Sequence, residues 1–161
     1  MSDENQYGID VSFMESALLE AELAANEGEV PVGAVIVKDG KIVATAHNKR
    51  ETEKLATAHA ELLAIEDACR ALGGWRLCGC TLYVTLEPCP MCAGAIINSR
   101  IERVVYGAAD LAAGCCKSII NVNSYPFNHS FVACGGVLEN ECSDILKQFF
   151  EKKRKGKETN K

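Results

Sequence analysis

The chain has no apolar run long enough to span a bilayer: the longest, Val30 to Val37, falls far short of the roughly 20 residues a transmembrane helix needs. Its opening, Met1 to Asp10, is polar and acidic and has neither the positive n-region nor the apolar h-region of a secretory signal, so no signal peptide is expected. Internal repeats and low-complexity linkers are absent, and 161 residues suit one domain with a sizeable core. We expect residues 1–10 to be a flexible N-terminus, 11–155 a single domain ending in a basic helix, and 156–161 a flexible tail. Nine cysteines without a secretion signal argue for a reducing compartment, the cytoplasm, and their odd number argues against a complete disulfide framework. Cys69, Cys78, Cys80, Cys115, Cys116, Cys134 and Cys142 read as small buried hydrophobes.

What is present is concentrated in two short stretches. Thr57 to Glu61 reads TAHAE, and Glu87 to Cys92 reads EPCPMC, with Cys89 28 residues after Glu61. Cys89 and Cys92, three apart, can grip one ion if a helix begins at the first of them. His59 and Glu61, two apart, would diverge on a regular helix and converge only at a helix's first turn, which places Thr57 or Ala58 near the cap. Both stretches then lie at helix N-termini, where the dipole and free amides lower a thiol's pKa. One imidazole and two thiolates leave a fourth tetrahedral position open on zinc, the catalytic pattern, with the Glu61 carboxylate beside it.

Two other readings compete. A CxxC pair also occurs in structural zinc sites and in redox folds. A structural site calls for a fourth protein ligand, and the other close pair, Cys78 and Cys80, has the wrong spacing. A glutaredoxin-type dithiol calls for a later cis-proline loop; after the dithiol the chain has only Pro126, in a polar loop, and that reading gives His59 and Glu61 no task.

His59-Ala60-Glu61 together with Pro88-Cys89-x-x-Cys92 resembles the signature of the zinc-dependent cytidine deaminase superfamily. Within it, the chain resembles the bacterial tRNA-specific adenosine deaminases through Val30 to Val35, Asn48, Thr57 to Glu61, Thr81 to Arg103, Val105 to Gly107 with Asp110, and Asn128-His129. The likeness runs from about Ser12 to Arg154. It implies a three-layer α/β/α fold around a mixed sheet of about five strands. It further implies one zinc per chain on His59, Cys89 and Cys92, and conversion of adenosine to inosine at the wobble position (34) of tRNA. In that reaction zinc-activated water attacks C6 while Glu61 shuttles protons. It also implies substrate contacts from Val32, Asn48, Ala60 and Asp110, a tRNA anticodon stem-loop as partner, a homodimer, and neither membrane nor DNA as partner. Read by type alone, Asn48 is equally a turn residue. One departure is local: Ala109 stands before Asp110 where relatives often carry a basic residue, and Leu111-Ala112-Ala113 follows. The metal motifs alone do not choose a base, so deamination of free guanine, cytosine or nucleosides is the alternative enzyme, and a zinc- or thiol-based interaction module the alternative without catalysis.

Periodicity places the remaining elements. Phe13, Met14, Ala17, Leu18, Ala21 and Ala24 share one helical face before Gly28; Val32 to Val37 and Ile42 to Ala46 form a hairpin through Asp39-Gly40. Lys49 to Lys54 reads as a charged, exposed loop. A helix over Ala58 to Leu72 is predicted to turn Leu62, Leu63, Ile65, Cys69 and Leu72 inward, and Gly73-Gly74 ends it. Thr81 to Thr85 and Val104 to Tyr106 read as strands flanking a helix over Cys89 to Ser99, which calls for crossover connections and a helix layer on each side of the sheet. Asp110 to Ser130 resists assignment, Phe131 to Val137 reads as a last strand or irregular chain, and a helix follows from about Glu139 to Lys155. Residues 147–161 hold seven of the 17 basic and two of the 22 acidic residues, a balance of +5 in a chain of net charge −5. Such a tail is either a solvated helix end complementing the dipole or a phosphate-contacting arm with Phe149 or Phe150 stacking on a base. The resemblance favours the arm, with Phe149, Lys152 and Arg154 as RNA contacts.

Overall fold

The computed structural model describes residues 2–158. A five-stranded sheet carries the fold, built from β1 (Gly33–Lys38), β2 (Lys41–His47), β3 (Cys80–Leu86), β4 (Arg103–Ala108) and β5 (Val132–Gly135), in the order β2-β1-β3-β4-β5. β1 pairs antiparallel with β2 and β3, whereas β3–β4 and β4–β5 are parallel, so the sheet is mixed as expected. Asp39 and Gly40 join β1 to β2 with φ of 49° and 72°, the paired positive values of a type I′ hairpin.

Side chains alternate across the strands and divide the core in two. Ala34, Ile36, Leu82, Val84 and Val104 pack with α3 (Ala60–Leu72) and α4 (Pro90–Ser99). Val35, Val37, Tyr83 and Val105 face the other way, against Met14 and Ala17 of α1 (Asp3–Asn26) and Cys142 of α5 (Glu139–Glu158). Two helix layers enclosing one sheet give the α/β/α arrangement. Fully burying a side chain such as Ile36 or Leu82 stabilises it by about 1.5 to 3 kcal/mol.

Several boundaries differ from the sequence reading. α1 begins at Asp3 rather than near Phe13, so most of the stretch expected to be flexible is helical. Ser2 caps it by accepting from the Asn5 amide, and Asp3 and Glu4 lie in the first turn, where the dipole favours negative charge. Asp10 is only 4% exposed because Arg103 grips its carboxylate with two bonds of 2.8 and 2.7 Å, while Tyr83 Oη donates at 2.9 Å and Gln6 at 3.1 Å. In α3 the buried face is Ala60, Glu61, Ala64, Ile65 and Ala68; Leu62 and Leu63 are half-buried and Leu72 is exposed, a rotation of the predicted face towards the smaller residues that approach the sheet closely. The charged stretch after Asn48 holds a short helix, α2 (Arg50–Glu53). Among the cysteines read as buried, Cys78 is exposed and Cys69 and Cys134 are half-buried. The last strand is real but short, and α5 runs to Glu158; residues 159–161 of the expected tail lie outside the described residues. No helix of the described residues is long and apolar enough to cross a membrane.

Candidate active site

α3 and α4 start side by side, at a place the sequence nearly specifies. Their N-caps are His59 and Cys89, both extended (φ −77°, ψ 150° and φ −76°, ψ 174°), so the cap lies one or two residues later than Thr57 or Ala58. Pro90 occupies the first turn of α4, where its missing N–H costs nothing. Neither His59 nor Cys89 spends its side chain on capping. His59 Nδ1 instead lies 3.6 Å from Cys89 Sγ and 3.6 Å from Cys92 Sγ, and the three donor atoms all fall within 4.8 Å of one another. A tetrahedral ion with Zn–S near 2.3 Å and Zn–N near 2.05 Å requires an N···S separation of about 3.6 Å. Both N···S separations therefore match those of a zinc ion held by the trio.

Its electrostatics agree. The Cys89 sulfur is pushed down to about 4, first by the hydrogen bond from Cys92 and then by His59, while Cys92, donating that bond from a buried position, is pushed up. His59 is raised, chiefly by its bond to Cys89. Glu61 is 4% exposed, and burial pushes its carboxyl up to about 7. A carboxyl poised there can both take and return a proton near neutrality.

A cavity of about 240 Å³ opens onto this cluster, lined by His59, Glu61, Cys89, Ala60, Val32, Asn48 and Asp110 from the predicted set. Asn48 is 6% exposed and held at both ends of its amide: Nδ2 donates to the Val30 carbonyl at 3.2 Å and Oδ1 accepts from the Arg50 amide at 3.2 Å. Asp110 uses Oδ1 to accept from the Ala112 and Ala113 amides at 3.0 and 3.1 Å, which fixes the turn at the rim. From α5 it is Lys153, not Lys152 or Arg154, that lines the cavity; its ammonium lies 5.4 Å from the Phe149 ring, and Phe149 meets Phe150 edge-on. Lys152 and Arg154 are exposed on the same helix.

Two buried carboxylates escaped the sequence reading and build the walls. Glu87, 1% exposed, accepts from the amides of Asp110, Cys116, Lys117 and Ser118 at 3.0, 3.1, 2.7 and 2.9 Å and from the Ser118 hydroxyl. Burial alone would raise its carboxyl, yet these donors, Ser118 first, hold it below the usual range. Gly114 is required here, because a Cβ would lie 2.3 Å from Glu87 Oε2. Glu29, fully buried, accepts from the Thr52 amide and hydroxyl at 2.6 and 2.7 Å and from the Glu51 amide at 3.2 Å, tying α2 to the end of α1. Glu87 immediately precedes the Pro-Cys motif, which was a signal that it serves the site; nothing in the sequence singles out Glu29, Arg50 or Lys153, which meet the cavity only through tertiary folding.

Comparison with known proteins agrees with this geometry. Residues 8–108 match the family model of the cytidine and deoxycytidylate deaminase zinc-binding region. The chain is 54% identical over 149 residues to the tRNA-specific adenosine deaminase of Bacillus subtilis, covering 92% of each. Among solved structures it superposes with a TM-score of 0.82 and 46% identity on a chain from a study of A-to-I editing by tRNA:A34 deaminases at the wobble position of transfer RNA, covering 84% of this chain and 99% of that one. The guanine deaminase of Bacillus subtilis is more distant, at a TM-score of 0.59 and 34% identity over 80% of this chain and 88% of that one. On these grounds the chain belongs to the cytidine and deoxycytidylate deaminase zinc-binding family, in its branch of tRNA-specific adenosine deaminases.

Proposed function

We propose that the protein converts adenosine to inosine at the wobble position (34) of tRNA by hydrolysis, as a single-domain, cytoplasmic enzyme holding one zinc per chain. The observation that carries this reading is the placement of a buried carboxyl, Glu61, beside a trio with zinc spacing at the floor of a cavity sized for one base. His59, Cys89 and Cys92 would hold the metal, which when bound supplies an acidified water at neutral pH. Glu61 takes a proton from water and hands it to N1 of adenine as the C6–O bond forms. It then delivers the remaining hydroxyl proton to the exocyclic nitrogen, so that the C6–N bond breaks and ammonia leaves. The second Nδ2 hydrogen of Asn48, the Ala60 amide and the Val32 side chain fix the base, and the Asp110 turn closes one side. At about 240 Å³ the cavity is smaller than the roughly 300 Å³ lower bound of a drug-sized site, which suits a single base swung out of an unpaired loop. Phe149, Lys152 and Arg154, with Lys153 at the rim, offer α5 to the RNA backbone and its bases.

The enzyme is further proposed to act as a homodimer. An apolar groove of about 370 Å³ lies between α4, through Ala93 and Ile97, and the segment joining β4 to β5, through Ile120, Tyr125 and Phe127, with Tyr125 and Phe127 more than half exposed. A second copy covering it would remove that surface from water.

The test is an anticodon stem-loop with adenosine at the wobble position, assayed beside free adenosine, cytidine and guanine at equal concentration. Inosine should form on the stem-loop while the free compounds react poorly. Faster release of ammonia from any free compound would transfer the reading to a small-molecule deaminase, and no conversion of anything would leave a zinc or thiol module. Sedimentation of the purified protein at micromolar concentration tests the dimer.

A further inference from the structure

At the rim of the base cavity the chain presents one side chain of the wrong polarity for open solvent. Leu111 follows the cavity-lining Asp110 and is 81% exposed, more than any other large apolar residue among the described residues. An exposed leucine on a floppy loop would mean little. This one stands on a turn fixed from within: Asp110 Oδ1 holds the Ala112 and Ala113 amides, Gly114 N donates to the Asp110 carbonyl at 2.8 Å, and Asp110 N donates to buried Glu87 at 3.0 Å. Three residues further along, the same Glu87 carboxylate fastens the chain again from Cys116 to Ser118. The cavity accepts one base, so the nucleotides on either side of it must lie outside, on the rim. Among the cavity's lining residues, Arg50, Glu51 and Lys153 are exposed and charged.

We infer that Leu111 is a substrate-contacting specificity residue: its side chain packs against the face of a nucleobase adjoining the one in the cavity. The inference rests on the RNA reading above. An unpaired base next to an extruded one has lost a stacking neighbour, and an aliphatic side chain on a rigid support replaces part of that contact without selecting by hydrogen bonds. Ala112 and Ala113 on the same turn have too little side chain to do this. Leu111 thus favours loops whose flanking base is large and flat, and it acts on binding rather than on the chemical step.

The experiment compares the full-length holoenzyme with Leu111→Ala and Leu111→Met on the wobble-adenosine stem-loop, and on two further stem-loops carrying an abasic residue on the 5′ or the 3′ side of that adenosine. Leu111→Ala should raise KM by about 5-fold with kcat within 2-fold, since taking roughly half of a leucine side chain out of water contributes about 1 kcal/mol. Leu111→Met should restore KM, and one of the two abasic loops should erase the difference between Leu111→Ala and the parent. An unchanged KM in Leu111→Ala overturns the inference. So does a defect that persists on both abasic loops, or a defect accompanied by dissociation of the oligomer in sedimentation, which would assign Leu111 to an interface between copies. The parent protein's own conversion of the stem-loop separates these results from failure of the RNA reading: if it makes no inosine, that reading falls and the Leu111 inference with it.

Discussion

His59 and Cys89 are each the N-cap of a helix, yet neither side chain caps: the imidazole Nδ1 and the thiol Sγ face each other at 3.6 Å instead. A cap position gives its side chain an extended backbone and points it across the helix end, and two such ends side by side bring 30 residues of separation down to a bonding distance. The positive ends of both dipoles then act on the same thiolate.

The purified protein should carry close to one zinc per chain by elemental analysis. His59→Ala, Cys89→Ala and Cys92→Ala should each lose it, because three protein ligands leave none to spare. Zinc retained at parental stoichiometry in Cys92→Ala would remove that residue from the ligand set.

Glu61→Gln should keep its zinc and its fold but lose about 10²- to 10⁴-fold in single-turnover rate, since the amide matches the carboxyl in size and cannot carry a proton. Metal content and rate measured on one preparation decide it. Activity within a few-fold of the parent would take Glu61 off the proton path.

Both of these residues' motifs were legible because ligand chemistry demands particular residue types at particular spacings. The sheet was legible for a related reason: Val32 to Val37 and Thr81 to Thr85 are β-rich runs bounded by turn residues, and the Asp39-Gly40 turn fixes one pairing. The start of α1 was not. Residues 3–12 offer little apolar periodicity, and what holds them is a cap at Ser2 and an ion pair to Arg103, 93 residues from Asp10. On α3 apolar size points to the leucines, whereas the close approach to the sheet selects Ala60, Ala64 and Ala68. Glu29 is opaque for a different reason: its partners, the Glu51 and Thr52 amides and the Thr52 hydroxyl, reach it only through tertiary folding, whereas Glu87 is marked by its place before the Pro-Cys motif.

Asp10→Asn should destabilise the fold by about 2 kcal/mol at neutral pH, by breaking a charge-assisted pair and weakening the Tyr83 bond. Burial would raise the Asp10 carboxyl, but the bonds from Arg103, Tyr83 and Gln6 outweigh it and hold it below its ordinary 3.8. A depressed folded value means that the contribution is complete above about 3.8 and fades as pH falls through the folded value below it. Urea titrations from neutral pH down to about pH 3 should show the gap between parent and variant closing only at the acid end. A gap constant over that range would mean that the loss is one of packing.

Lys152→Ala and Arg154→Ala should weaken binding of the stem-loop at low salt and lower the log-log salt slope by about 0.7 for each phosphate contact removed. Filter binding from low to moderate salt, with circular dichroism to check that α5 remains folded, gives the answer. Unchanged slopes in folded variants would return this end of α5 to the role of a solvated helix terminus.

Glu87 has a consequence for how such an enzyme can change. It grips the loop from Asp110 to Ser118 by main-chain amides and a single hydroxyl, so the path of that loop is indifferent to most of the side chains it carries. Substitutions at Leu111 or Lys117, both exposed, leave the carboxylate's donors in place, whereas one at Gly114 drives a Cβ into it. The rim can therefore drift in sequence while the cluster of His59, Cys89 and Cys92 and the buried Glu61 carboxyl stay where they are, a separation that would let selection explore new rims at little risk to folding.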